Sequence, residues 1–300
     1  MRQSKQWRIA FWNPGHRPAE QDGLFGCATL GFFDGERWAG PDSPETAVWR
    51  TIRGRAAGGT FEELLGFVRQ SEMPPRAVLV FLTGNAGNDA FVRSLEGLLP
   101  GVPILGGAAA QYGGNPGQVL PDGKDGAILL IDEDGFGIEG RAVHVDPGEP
   151  VAVLDGDARR LLKLRAGGVE MPALRYYNRL REKLGRPSWD FESVTFQTPE
   201  GKNIHCSAGE GDVLFAGSDI DGKTLRTVAI ERGAAQGAIS SFMCREGALS
   251  VGCAGLKSLL TEPVTGKSGN VGVFLFGEIV PVRSGNTRFA NLMLGSIAPL

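Results

Sequence analysis

The sequence predicts a mixed α/β (α+β) fold of two pseudo-repeated lobes, each a β-sheet with a β-α-β core and hairpins packed by helices. Three observations carry this expectation. Ala77–Thr83 (AVLVFLT) is an unbroken β-type apolar run, as a strand buried on both faces requires. Amphipathic helix patterns stand before and after it. The strand–helix–strand–Gly order of residues 77–107 returns at 248–277.

The elements follow in order. Residues 1–59, rich in Gly and Trp, read as a hairpin-and-loop extension. Thr60 with Glu63 forms a capping-box pattern ahead of Leu64, Leu65 and Val68, so a helix is expected over about 61–71, ended by Pro74-Pro75. After the 77–83 strand, Asn88 or Asp89 is expected to cap a helix whose Phe91, Leu95, Leu98 and Leu99 share one stripe. Pro100-Gly101 ends that helix and Val102–Leu105 begins the next strand. Strands are also expected at 127–131 and 138–145, and a helix at 171–184. Gly185 and Pro187 suggest a boundary, giving lobes of 60–187 and 188–300. In the second lobe, 212–217 and 225–230 read as a hairpin and 234–242 as a helix. Strands follow at 248–253 and 271–276, with a short helix from Leu256 between them and a final strand over 289–297.

Composition narrows the function classes. The chain has 300 residues with 31 Lys and Arg against 34 Asp and Glu, a net charge of −3, which argues against a nucleic-acid partner. Four cysteines without C-x-x-C spacing read as reduced thiols of a cytoplasmic protein. No signal-type segment and no apolar run long enough to span a membrane is expected. Three histidines, His16, His144 and His205, make a multi-histidine metal site unexpected. Glycine is the unusual residue, at 45 positions, about twice the average share.

Two phosphate-loop patterns occur and both are read as turns. Gly217–Thr224 (GSDIDGKT) satisfies G-x-x-x-x-G-K-T, but Leu225–Ile230 alternates like a strand where a helix is needed, and Asp219 and Asp221 place negative charge at the phosphates. The acidic pair Asp132-Glu133 after Ile128–Ile131 stands before that loop and not after it. Gly135, Gly137 and Gly140 satisfy G-x-G-x-x-G between two strands, with no helix to receive a pyrophosphate. His205 and Cys206 are adjacent, so on a strand they point to opposite faces. Cys253, at the end of an apolar strand, is the candidate nucleophile, provided that a base stands within hydrogen-bond reach.

The motifs of the second half resemble the FIST C-terminal domain. They are Leu249–Gly255 (LSVGCAG), Gly272–Pro281 (GVFLFGEIVP) and Thr287–Asn291 (TRFAN), with Asp212–Gly217 (DVLFAG) similar to its entry hairpin. Ala77–Thr83 followed by Gly101–Ala109 (GVPILGGAA) resembles the FIST N-terminal domain, so the resemblance covers about residues 60–300. Departures are Leu256 where the family has arginine, Ala290 where it has histidine, and Val280 where it has glycine. The resemblance implies a bacterial sensory module of intracellular signal transduction that binds a small, amino-acid-like molecule and acts through a partner or a homo-oligomer. No cofactor is expected, although some members are reported to bind haem, so a haem gas sensor is one alternative and a Cys253-dependent enzyme another. Gly106, Gly107, Cys253, Gly255, Glu278, Arg288 and Asn291 are the expected ligand-binding residues, at strand ends where glycine leaves room. Arg288 suits a ligand carboxylate and Glu278 an amine or hydroxyl; alternatively the two pair with each other.

Overall fold

The computed structural model describes residues 5–12, 24–26, 29–33, 38–39, 47–82, 87–108, 111–112, 115–116, 125–143, 147–186, 194–220, 222–243, 245–257, 259–262, 271–282 and 284–300. The chain opens with β1 (Lys5–Trp12), β2 (Leu24–Gly26), β3 (Thr29–Phe33), β4 (Trp38–Ala39) and the long β5 (Ala47–Gly59). Then come α1 (Phe61–Arg69), β6 (Ala77–Leu82), α2 (Asn88–Leu98), β7 (Ile104–Ala108), β8 (Gln111–Tyr112), β9 (Asn115–Pro116), β10 (Gly126–Ile131) and β11 (Phe136–Ala142). The middle holds β12 (Pro147–Gly156), β13 (Arg160–Ala166), β14 (Val169–Pro172), α3 (Ala173–Lys183), β15 (Val194–Gln197), β16 (Asn203–Ile204), β17 (Cys206–Ala208), β18 (Leu214–Ala216) and β19 (Thr224–Ala229). The chain closes with α4 (Arg232–Met243), β20 (Leu249–Cys253), α5 (Ala254–Lys257), β21 (Val271–Leu275), β22 (Glu278–Pro281), β23 (Thr287–Ala290) and β24 (Met293–Pro299).

The fold is mixed α/β, with several sheets and helices packed together. Helix α1 begins where its capping box says: the Thr60 hydroxyl accepts from the Glu63 amide and the Glu63 carboxylate accepts from the Thr60 amide. Every residue of β6 is buried, as an apolar run without alternation demands. β6 and β7 pair in parallel with α2 as their crossover. The expected cap of α2 is corrected, since Gly87 holds the cap position and makes no side-chain cap bond. Asp89 lies in the first turn and its carboxylate turns to Lys202 and Arg159.

Two sheets stack face to face. The nine-stranded sheet runs β23-β22-β7-β6-β10-β5-β1-β3-β4, and the five-stranded sheet runs β11-β24-β20-β21-β2. Between them lies one apolar core, with Leu79, Phe81, Leu105 and Leu129 from the first sheet and Leu249, Val251, Val273 and Leu275 from the second. Helices α1 and α2 cover the outer face of the first sheet, where Leu64, Phe91 and Leu95 meet Val78, Val80 and Ile128. Helix α4 covers the outer face of the second through Ile239 and Met243. The result is four layers, helix–sheet–sheet–helix. β20 and β21 also pair in parallel, with α5 in their connection, so each sheet contains one parallel β-α-β crossover. Strands from distant parts of the chain complete both sheets: β22 and β23 join the sheet of β6 and β7, and β11 joins that of β20 and β24. In the extension expected at residues 1–59, β5 lies inside the nine-stranded sheet, between β10 and β1, and β2 pairs with β21.

The third sheet runs β16-β15-β19-β12-β13-β18-β17, with β14 beside β13. β16 and β17 are one stretch of chain broken only at His205, so the two ends of this order meet and the sheet closes into an antiparallel barrel. Closure pairs every strand of this order on both sides, β16 and β17 taken as one, and leaves β14 as a flap on β13. Its interior holds Val151, Leu161, Leu164, Phe196, Leu214 and Leu225, joined by Tyr177 of α3, whose hydroxyl donates to the Val194 carbonyl. Two expectations fail here. The segments 212–217 and 225–230 do not form a hairpin: β18 pairs with β13 and β17, and β19 with β12 and β15. The final strand is two strands, β23 and β24, separated by a turn at Asn291-Leu292 and lying in different sheets.

Candidate functional site

The ends of β20 and β22 bring together a thiol and a carboxyl. Cys253 is the last residue of β20 and Glu278 the first of β22, and their side chains are hydrogen-bonded. Glu278 is fully buried. Its two carboxyl oxygens accept from the amides of Gly277 and Met293, each at 3.2 Å. The amides of Leu292 and Gly255 donate to the Cys253 sulfur. Burial pushes the Glu278 carboxyl well above its ordinary value, and four amide and thiol contacts that favour the anion do not overcome it. Burial, then the charge of Glu278, pushes the Cys253 thiol up as well. Burial therefore opposes ionisation of both groups. The amides aimed at sulfur resemble a thiolate cradle, but the loss of solvent works against the thiolate.

The expected site glycines stand beside this pair, packed by the protein's own chain. Gly107 faces Glu278 across the β7–β22 ladder. A Cβ on Gly106 would come within 1.7 Å of the Val80 carbonyl oxygen, and one on Gly107 within 2.6 Å of the Gly277 oxygen. Gly277, at φ 120, makes the bend by which the chain leaves the five-stranded sheet and enters the nine-stranded one. At Gly106 and Gly107 the room expected for a ligand is taken up by the Val80 and Gly277 main chain and the Leu275 side chain. Arg288 is corrected on both expectations. It neither pairs with Glu278 nor stands free, because its guanidinium holds Glu200 at 2.9 Å and Glu96 at 2.6 Å. Those carboxylates outweigh burial and raise its pKa further.

Asn291 leads from the pair to the barrel. Its amide donates to the Asn203 carbonyl at 3.0 Å and its side-chain oxygen accepts from the His205 amide at 3.3 Å. Gly217 packs against the same side chain, which a Cβ there would approach to 2.9 Å. Next to this contact is a cluster that sequence reasoning did not single out. Lys202 and Asp89 are 0% and 2% exposed and 2.8 Å apart. The other Asp89 oxygen accepts from Arg159 at 2.6 Å and from the Asp219 amide at 3.1 Å. Asp219 in turn holds Arg159 at 2.8 Å and Arg93 at 3.0 Å, and Lys202 donates to the Asp219 carbonyl. Burial raises the Asp219 pKa, but Arg159 and Arg93 outweigh it and hold the carboxylate below its usual range. Between Gly217 and Asp219, the hydroxyl of Ser218 is buried without a hydrogen-bond partner among the described residues. The sequence holds one hint of this cluster, the two acidic positions that made Gly217–Thr224 a poor phosphate loop. Asp219 serves an internal ion network, Asp221 lies outside the described residues, and the strand β19 follows in place of a helix. Likewise Asp132 of the other acidic pair holds Arg55 at 2.6 Å.

Of the histidines, His16 and His144 lie outside the described residues, as do Cys27 and Cys244. Burial lowers the His205 pKa to about 4, so its ring is neutral. A haem needs a broad apolar slot beside its axial ligand. The backbone of His205 is instead pinned between the Gly217 amide and the Asn291 side chain, which pack closely on each other. That setting does not fit a macrocycle. Burial also raises Cys206 well above an ordinary thiol. Among the described residues no group of acidic, His and Cys side chains could hold a metal ion, and no helix is long and apolar enough to cross a membrane. In comparisons with known proteins, no family model and no curated protein matches the chain.

Proposed function

We propose that the protein is a small-molecule-binding sensory module of the FIST type, taking an amino-acid-like ligand at the seam between the barrel and helix α2 and acting through a signalling partner or a homo-oligomer. One observation carries the reading: the seam holds an ion network, built on the buried pair Lys202–Asp89 and reaching solvent at Arg159 and Arg93, where three cations face two carboxylates. Buried ion pairs add little stability compared with apolar packing, so a network of this cost at the junction of two substructures suits recognition of a charged polar ligand. The buried, unpartnered Ser218 hydroxyl beside it supports the same place. The parallel crossover in each stacked sheet supports the reading of two pseudo-repeated lobes. The expected residues Asn291, Glu278 and Cys253 then stand behind the seam and do not line it.

Thermal-shift and calorimetric titration with amino acids and related metabolites test this. A saturable rise in Tm with one ligand class is expected, abolished in Arg159→Met, whose side chain is partly exposed and removable without leaving a cavity. No shift with any compound, or one unaffected by Arg159→Met, would sink the reading.

A second reading, a cysteine-dependent enzyme, has one observation in its favour, the carboxyl of Glu278 hydrogen-bonded to the Cys253 thiol. Stoichiometric labelling of Cys253 within minutes at neutral pH would favour it. A buried thiol held in its protonated form is expected to label far more slowly.

A further inference from the structure

The turn between β23 and β24 is the only path by which the thiol–carboxyl pair touches the barrel among the hydrogen bonds described above, and its backbone is unusual. Leu292 has φ 52, the one non-glycine residue in the left-handed region among the described residues. A leucine has no intrinsic reason to sit there, so the surroundings must hold it. They do so from two sides. Toward the sheets, the Leu292 amide donates to the Cys253 sulfur and the Met293 amide to the Glu278 carboxyl. The Leu292 side chain is packed in the same apolar cluster as Cys253. Toward the barrel, the Leu292 carbonyl accepts from Asn203 Nδ2 at 3.3 Å, the Asn291 amide donates to the Asn203 carbonyl, and the Asn291 side chain accepts from His205. Asn203 is itself fixed by Gln197 at 2.8 Å. Three consecutive residues thus divide their polar groups between the pair and the segment 203–205 at which the barrel closes.

We infer that this turn is a relay that makes the seating of the barrel segment 203–208 and the shielding of the Cys253–Glu278 pair depend on each other. When either set of contacts is released, the left-handed leucine has a lower-energy conformation to fall into, and the other set is lost with it. A ligand that shifts the barrel at the seam would change the availability of Cys253, and modification of Cys253 would change the seam, because such coupling is reciprocal. The trigger rests on the ligand-binding reading. The coupling does not, since it is a property of the chain alone.

The test uses the full-length protein without ligand. Alkylation of Cys253 by iodoacetamide is followed by peptide, with amide hydrogen exchange in α1 as the reporter of global opening. Asn203→Ala, which does not touch Cys253, is expected to speed labelling of Cys253 by about tenfold and leave α1 protected. In the reverse direction, Cys253→Ala is expected to speed hydrogen exchange at the His205 and Gly217 amides while α1 stays protected. Labelling of Cys253 that is unchanged, or that rises only together with exchange in α1, overturns the relay, as does unchanged exchange at His205 in Cys253→Ala. If Asn203→Ala does not fold, the exchange measurement decides alone. A blank ligand screen with positive coupling removes the sensory reading and leaves the relay; a saturable ligand without coupling does the opposite.

Discussion

Glu278 shows how burial sets chemistry at a single residue. Burial raises its pKa in the folded protein well above the ordinary 4.5. Above about pH 4.5 the folded state therefore binds more protons than the unfolded chain, so the stability this group contributes is full below that pH and is lost as pH rises. Glu278→Gln removes the titration at the cost of one acceptor. The stability of wild type relative to the variant in urea unfolding is therefore expected to be highest below about pH 4.5 and to fall as pH rises above it. A wild type that gains stability relative to the variant as pH rises would show that folding lowers the Glu278 pKa. Gly106 makes the opposite kind of demand, one of space. A methyl there meets the main chain of β6, which is buried on both faces and cannot retreat. Gly106→Ala is expected to cost about 3 kcal/mol or to prevent folding, measured by chemical denaturation.

At the scale of elements, the helices illustrate how far local patterns reach. Thr60→Ala removes one half of a reciprocal cap and is expected to lower stability by about 1 kcal/mol, read as a shift in urea midpoint with an unchanged slope. The same logic applied to Asn88 and Asp89 fails because a stronger claim on Asp89 exists elsewhere, the buried Lys202 and the partly exposed Arg159 supplied by the barrel. Strand existence was legible at β6, β10, β20 and β21, where apolar runs demand burial. Strand pairing was not. β18 and β19 lie close in sequence and are separated by two strands in the barrel, because closure depends on where the chain passes β12 and β13. A turn at Asn291-Leu292 was hidden for a related reason: nothing in Leu292 itself asks for a left-handed backbone.

At the scale of the molecule, the network at the seam sets how the barrel sits on the sheets. Lys202→Met removes the buried cation from one Asp89 oxygen, leaving Arg159 on the other, and is expected to cost about 3 kcal/mol. The double variant Lys202→Met with Asp89→Leu removes both charges and is expected to recover most of that loss. A double variant no better than Lys202→Met alone would mean that Arg159 and Asp219 depend on the pair for their own geometry. Part of the candidate site was visible in advance: Cys253, Glu278 and the glycines beside them do converge, since all stand at strand ends of the two parallel crossovers. Lys202, Asp89 and Arg159 carry no motif. They are separated by 113 and 70 positions and meet only because the barrel docks on α2.

Taken by itself, the sequence determined the mixed α/β class, the helices, the capping box of α1, the fully buried strands and the two crossovers. Each of these follows from periodicity and local hydrogen bonding within a few residues. Tertiary structure alone decided which strands share a sheet, that the third sheet closes on itself, that Arg288 binds Glu96 and Glu200, and that burial raises the pKa of Cys253 and Glu278. Those outcomes depend on contacts between distant segments and on the exclusion of water, and neither quantity is written in any local stretch of chain.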